Sequence, residues 1–355
     1  EKLGLKQLSS GDMLRAAVEL TRDLNTASPA IYWPDMLGSA LVGHAALAGA
    51  ILFTNPWAAL ASAAVSVMAL YRALLFIHEL AHIHRDALPG FRLVWNLLVG
   101  IPLLTPSFGY EGTHTLHHAR TKYGTPEDPE YLPLALMTRW SLPAFFGIAL
   151  IAPALLLLRS ALLVPLGVLF PPLRRLIWER FSALTINPDF RRRPAEGEFA
   201  RMVRWQDTGA SLWAIIVLGA SALWLGWRPL LIAMAVTGVL GLFNQLRTLV
   251  AHLWENDGRT MTVTAQYLDS VNVPPPGWLP LLWAPVGLRY HALHHLAVVT
   301  VLDLRLRIRY AGWLALQLFR RRLRERAIHI ELEFAHDVEM VPQRAFEIVA
   351  DAQLG

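Results

Sequence analysis

The chain reads as an all-α integral membrane protein. It should have four transmembrane helices in two hairpins, interfacial or re-entrant helices, and a cytoplasmic helical cap that carries clustered histidines. Three observations predict this class. Of 355 residues, 54% are hydrophobic and only 17% are charged, where a soluble domain carries about 25% charged residues. The apolar residues gather into runs close to the roughly 20 needed to cross a bilayer core. The runs come in pairs, each pair joined by a very short break.

The first 35 residues are polar with mixed charge and are expected to lie in the cytoplasm. The run 36–54, MLGSALVGHAALAGAILFT, is separated by NPW from the run 57–77, WAALASAAVSVMALYRALLFI. Together they predict a helical hairpin whose two ends return to one face. A second pair spans 208–227 and 229–250, with GWRP at the turn. Before it, Arg174, Arg175, Arg180, Arg191, Arg192, Arg193, Arg201 and Arg204 mark a cytoplasmic segment by the positive-inside rule. After it, Arg305, Arg307, Arg309, Arg320, Arg321, Arg322, Arg324 and Arg326 mark another, so both hairpins agree on one topology with both termini cytoplasmic. The apolar stretch 140–170 contains Pro153, Arg159 and Pro165 and must begin and end on that same side, which predicts an interfacial or re-entrant helical pair. The membrane domain is thus expected over 36–318, with a cytoplasmic tail over 319–355.

Charge and cysteine content narrow the chemistry. The net charge of +5 is almost entirely arginine, because Lys2, Lys6 and Lys122 are the only lysines. These arginines flank apolar runs, which fits a membrane surface and not a nucleic-acid partner. Cysteine is absent, which excludes disulfides, thiolate nucleophiles, cysteine-ligated zinc and iron–sulfur clusters within these residues.

The histidines carry the strongest signal. His78 and His82 in HELAH share one face of a helix. His114, His117 and His118 fall at i, i+3 and i+4, and His291, His294 and His295 repeat that spacing. His252 stands alone just past the second hairpin. On the topology above all nine reach the cytoplasmic mouth of the membrane. Neutral imidazole suits iron, zinc and copper, and nine imidazoles exceed what one ion accepts. Two irons fit the count best. His44, in the middle of the first run, is expected to be packed and hydrogen-bonded instead.

The ordered pattern HxxxH, HxxHH, HxxHH with one lone histidine after the fourth span resembles the membrane fatty acid desaturase and hydroxylase family, over about residues 36–295. The resemblance implies that His78, His82, His114, His117, His118, His252, His291, His294 and His295 hold two iron ions. It implies O2 as co-substrate and hydrogen removal from an unactivated C–H bond of a fatty acyl chain. Desaturation is the first expectation, with hydroxylation or decarboxylation to a terminal alkene as alternatives. Glu79, Glu111, Asp128, Glu255 and Asp257 are candidates to orient the imidazoles. Some relatives place an asparagine four residues before the lone histidine to hold an iron-bound water; here that position is Thr248, with Asn244 one further turn back.

Other readings explain less. HELAH also fits the H-E-x-x-H motif of zinc metalloproteases with Glu79 as base, but this leaves seven clustered histidines without a role. A non-catalytic metal transporter or haem-binding protein predicts metal uptake with no oxygen-dependent product. Electrons are expected from a separate ferredoxin, rubredoxin or cytochrome with its reductase, because no H-P-G-G or G-x-G-x-x-G motif occurs. The substrate is expected to be a fatty acid, an acyl thioester or a lipid, and the location a bacterial inner membrane. In the tail, IHIELEFA at 328–335 alternates as a strand does and weakly resembles the start of START-like lipid-binding domains.

Overall fold

Proline and asparagine set where the first two helices begin. Helix α1, Pro29–Leu52, has proline in its first turn, where a missing N–H costs nothing. Helix α2, Pro56–Leu74, starts under the Asn55 side chain, which accepts hydrogen bonds from the backbone N–H of Trp57 at 2.9 Å and Ala58 at 3.1 Å. After a slight break at Leu75, α3, Phe76–His82, continues the same rod. The molecule is seen in a computed structural model that describes residues 27–119, 121–273, 279–289 and 291–297. The tail 319–355 and its START-like stretch lie outside the described residues.

The described residues are all-helical, with β-structure limited to isolated bridges. Among the described residues, five helical stretches are long and apolar enough to cross a membrane: Pro29–Leu52, Pro56–His82, Ser141–Leu169, Gly197–Leu225 and Arg228–Leu249. The chain is therefore a membrane protein of the expected class, with two differences from the sequence reading. Residues 29–35, expected in the polar N-terminal segment, belong to the first helix. The 140–170 stretch is one continuous helix and not a pair: α6, Ser141–Leu158, runs through a π turn at Arg159–Leu163 into α7, Val164–Leu169. The π turn lies just ahead of Pro165, which sits in the first turn of α7, so the helix continues through it.

Two compact units are present. The larger comprises Ser28–Val250 with Trp254–Thr260. Within it α1 and α2 approach through small residues: a Cβ on Gly43 would lie 2.6 Å from a Leu70 methyl, and the Ser66 hydroxyl donates to the Gly43 carbonyl at 2.9 Å. Such close backbone contact is how helices associate in lipid. After α4, Phe91–Trp95, and α5, Thr113–His117, helix α8, Pro171–Phe181, precedes the second hairpin of α9, Gly197–Ala220, and α10, Arg228–Leu249. Arg228, at that hairpin's turn, donates to the Ile51 carbonyl at 2.8 Å, so the turns of both hairpins share one end. Exposed Trp57, Trp224 and Trp227 ring that end, as an interfacial aromatic belt does.

Helix α6 seats on α10, where Gly238 and Gly241 admit the backbone of Leu150 and Ala149 and Gln245 donates to the Phe145 carbonyl at 3.0 Å. Its far end is held on α9 by Arg159, which donates to Asp207 at 2.8 Å and to the Phe181 carbonyl at 2.6 Å.

The smaller unit gathers Ala251–Leu253 with the described residues from Met261 on. Helix α11, Val263–Asp269, is capped by Thr262, whose hydroxyl accepts from the Ala265 N–H at 3.1 Å. Helix α12, Leu279–Trp283, and α13, His291–Ala297, follow, with α11 packed on α13. An antiparallel bridge ties His252 to Ser270.

Candidate metal centre

In the larger unit, the first two histidine clusters converge. The HxxxH spacing on α3 puts the rings of His78 and His82 4.9 Å apart, centre to centre. Helix α5 is one and a half turns long and begins after Gly112, whose φ of +74° is a conformation glycine adopts without strain. It brings His114 4.6 Å from His78, 4.8 Å from His82 and 4.5 Å from His118. His78, His82, His114 and His118 each offer one nitrogen, all within 4.8 Å of one another. His117 is turned aside, 5.8 Å from His114 and 5.5 Å from His118.

In the smaller unit, the lone histidine and the third cluster meet in the same way. Nε2 of His291 lies 3.0 Å from Nε2 of His252 and 3.1 Å from Nε2 of His295. His294 is turned aside, 6.2 Å from His291 and 6.0 Å from His295. The two HxxHH clusters thus share one geometry: the i and i+4 rings meet and the i+3 ring points elsewhere, as a 100° step per residue requires.

Carboxylates fix several of these rings. Asp128 is fully buried and receives Nδ1–H of His117 at 2.9 and 3.0 Å, along with the backbone N–H of Gly124 and of Glu130 at 2.8 Å each. Glu130 receives Nδ1–H of His114 at 2.9 Å on one oxygen and the Tyr110 hydroxyl at 2.8 Å on the other. Loss of solvent pushes both the Glu130 carboxyl and the Tyr110 hydroxyl above their ordinary ranges. Glu79 takes the Tyr32 hydroxyl at 2.5 Å and lies 3.4 Å from Nδ1 of His78. Nδ1 of His252 faces the Ser270 hydroxyl at 3.3 Å and Asp269 at 3.7 Å. A proton held at Nδ1 leaves Nε2 with its lone pair free for a metal.

The donor set fits transition metals. An imidazole nitrogen binds such a metal at about 2.1 Å, so two at right angles lie about 3 Å apart. The Nε2 pairs His114–His118, His252–His291 and His291–His295 are 3.0, 3.0 and 3.1 Å apart. All of these rings are mostly or wholly buried, and buried neutral nitrogen donors suit iron, zinc or copper better than calcium or magnesium.

The other expected residues distribute unevenly. Glu111 faces Arg92 at 2.8 Å and no imidazole, and burial pushes its carboxyl upward against that cation. Asp257 is exposed and pairs with Arg259 at 2.7 Å. The Thr248 hydroxyl accepts from Arg247 at 3.0 Å, and Asn244 is half-buried on α10. His44 bonds the Leu98 carbonyl at 2.7 Å, as a packed histidine should. Sequence reasoning missed Glu130, Asp269, Ser270 and Tyr110. Only Glu130 left a trace, as the third acid of EDPEY across Pro129 from Asp128. Arg192, read with its neighbours as a membrane flank, is instead buried: it donates to the carbonyls of Ser182, Phe108 and Glu111 at 2.9, 2.7 and 2.6 Å, behind the second histidine cluster.

This is a polytopic membrane protein whose helix ends present two buried imidazole clusters able to hold metal. The chain belongs to the fatty acid desaturase family: the family's sequence model, described as Fatty acid desaturase, matches residues 55–332. It is 49% identical over 294 residues to a Ceramide hydroxylase of Caulobacter vibrioides (strain NA1000 / CB15N), a match covering 82% of this chain and 83% of that protein. No solved structure matches the chain. Membership supports an oxidoreductase of lipid metabolism.

Proposed function

We propose that this protein is an O2-dependent hydroxylase of a ceramide-class membrane lipid. The observation that carries the reading is the 49% identity to a ceramide hydroxylase over 82% of this chain. In this reading the nine clustered histidines ligate two irons, which when bound supply O2 activation and hydrogen removal from a C–H bond of the lipid. Asp128 and Glu130 hold Nδ1–H of His117 and His114, so that both rings keep their tautomer and aim through a catalytic cycle. One oxygen atom of O2 enters the lipid and the other leaves as water, with two electrons and two protons supplied from outside. A separate ferredoxin, rubredoxin or cytochrome with its reductase delivers those electrons to the cytoplasmic face of a bacterial inner membrane. Thr248 or Asn244 stands where some relatives hold an iron-bound water.

Desaturation of an acyl chain is the second reading, favoured by the family description over residues 55–332. Both reactions begin with the same hydrogen removal and part afterwards. Expression in a host fed labelled ceramide under 18O2, followed by lipid mass spectrometry, separates them. Hydroxylation adds one labelled oxygen; desaturation removes two hydrogens and adds none. A volatile alkene would mark decarboxylation, and no oxygen-dependent product at all would overturn both readings.

A further inference from the structure

An arginine inside an apolar helix needs a partner, because its charge is costly away from water. Arg72 in α2 is paired with Asp35, and Arg159 in the 141–169 helix with Asp207. Arg247, in the last turn of α10, differs. One terminal nitrogen donates to the Thr248 hydroxyl at 3.0 Å, and the Tyr71 hydroxyl lies beside the guanidinium. Its Nε is buried and meets no hydrogen-bond acceptor among the described residues, and none of their carboxylates forms an ion pair with it. A guanidinium has five N–H donors, so this one retains unused capacity, with its Nε shut off from solvent.

Its surroundings point to the reaction site. Tyr71 is fully buried on α2, two turns before His78. Arg247 is close enough to Tyr110 and Glu130, the pair that holds His114, for its charge to act on both. The residue is half-buried as a whole, but its Nε is enclosed, so that donor is turned away from solvent. We infer that Arg247 is a specificity-determining residue: it hydrogen-bonds the oxygen atoms at the polar end of the lipid substrate and so fixes which carbon faces the metal site. The inference rests on the proposed ceramide-class substrate, whose hydroxyl and amide oxygens supply the acceptors this guanidinium lacks.

The test is equilibrium binding to the purified, iron-loaded protein of two fluorescent probes of equal chain length: a ceramide and an alkane without polar oxygens. Arg247→Gln should weaken ceramide binding about tenfold or more, as expected for loss of a charge-assisted hydrogen bond, with alkane binding and iron content unchanged. Arg247→Lys keeps the charge but not the fork and should fall between wild type and Arg247→Gln; if the glutamine variant does not fold, this one decides by the same pattern. Ceramide binding unaltered by the substitutions, or both probes weakened together, would overturn the inference alone. Wild-type protein that binds the alkane but not ceramide would overturn the proposed substrate class as well.

Discussion

At the residue scale, the chemistry depends on which ring nitrogen carries a proton. Asp128 accepts Nδ1–H of His117 with both oxygens and is itself pinned by two backbone N–H groups. Replacing it by alanine should therefore release the ring without removing it, and lower metal affinity about 10–100-fold. Iron titration of the purified variant checks this; wild-type affinity would mean that Asp128 only packs. His117→Ala should abolish product and reduce bound iron together, read by elemental analysis beside a lipid assay. Activity that survives would remove His117 from the ligand set. The clustered histidines were legible because their spacing is periodic and repeated. Glu130, Asp269 and Ser270 were not: Glu130 lies in a loop, Asp269 and Ser270 at the end of α11, and no period ties them to a histidine.

At the element scale, helix packing was read well where polarity changes along the chain and poorly where it does not. The breaks NPW and GWRP gave both hairpin turns. The 141–169 helix is apolar on every side, so its sequence offers no face, and Pro153, Arg159 and Pro165 suggested interruption. The structure instead puts a π turn at 159–163 and gives Arg159 an acid on α9. Gln245 and Asp207 hold the helix near its start, at Phe145, and at the π turn, at Arg159. Close helix contact was invisible in the sequence but is testable now. Gly43→Leu must displace Leu70 and should cost about 1–3 kcal/mol, seen as a lower melting temperature in detergent. Gly38→Leu, where an added Cβ meets nothing within 4 Å, should melt as wild type. Arg192→Ala leaves three buried carbonyls without their donor and should destabilise by about 3 kcal/mol, while Arg191→Ala beside it, which is exposed, should not.

At the scale of the whole molecule, the proposed topology has the two hairpin turns outside the cell and the chain on either side of the hairpins in the cytoplasm. The absence of cysteine makes this direct to test by single-cysteine labelling in intact cells. Cysteine at Asn55 or Gly226 should react with an impermeant maleimide added outside. Cysteine at Arg85 or Glu198 should react only after the cells are opened. Labelling of all four from outside would refute the topology. The account finally rests on metal: imidazoles drawn from distant parts of the chain are there to hold iron. Elemental analysis of active protein purified from iron-fed cells measures this most directly. The account predicts about two irons per chain; one zinc per chain, or no redox metal in folded and active protein, would contradict it.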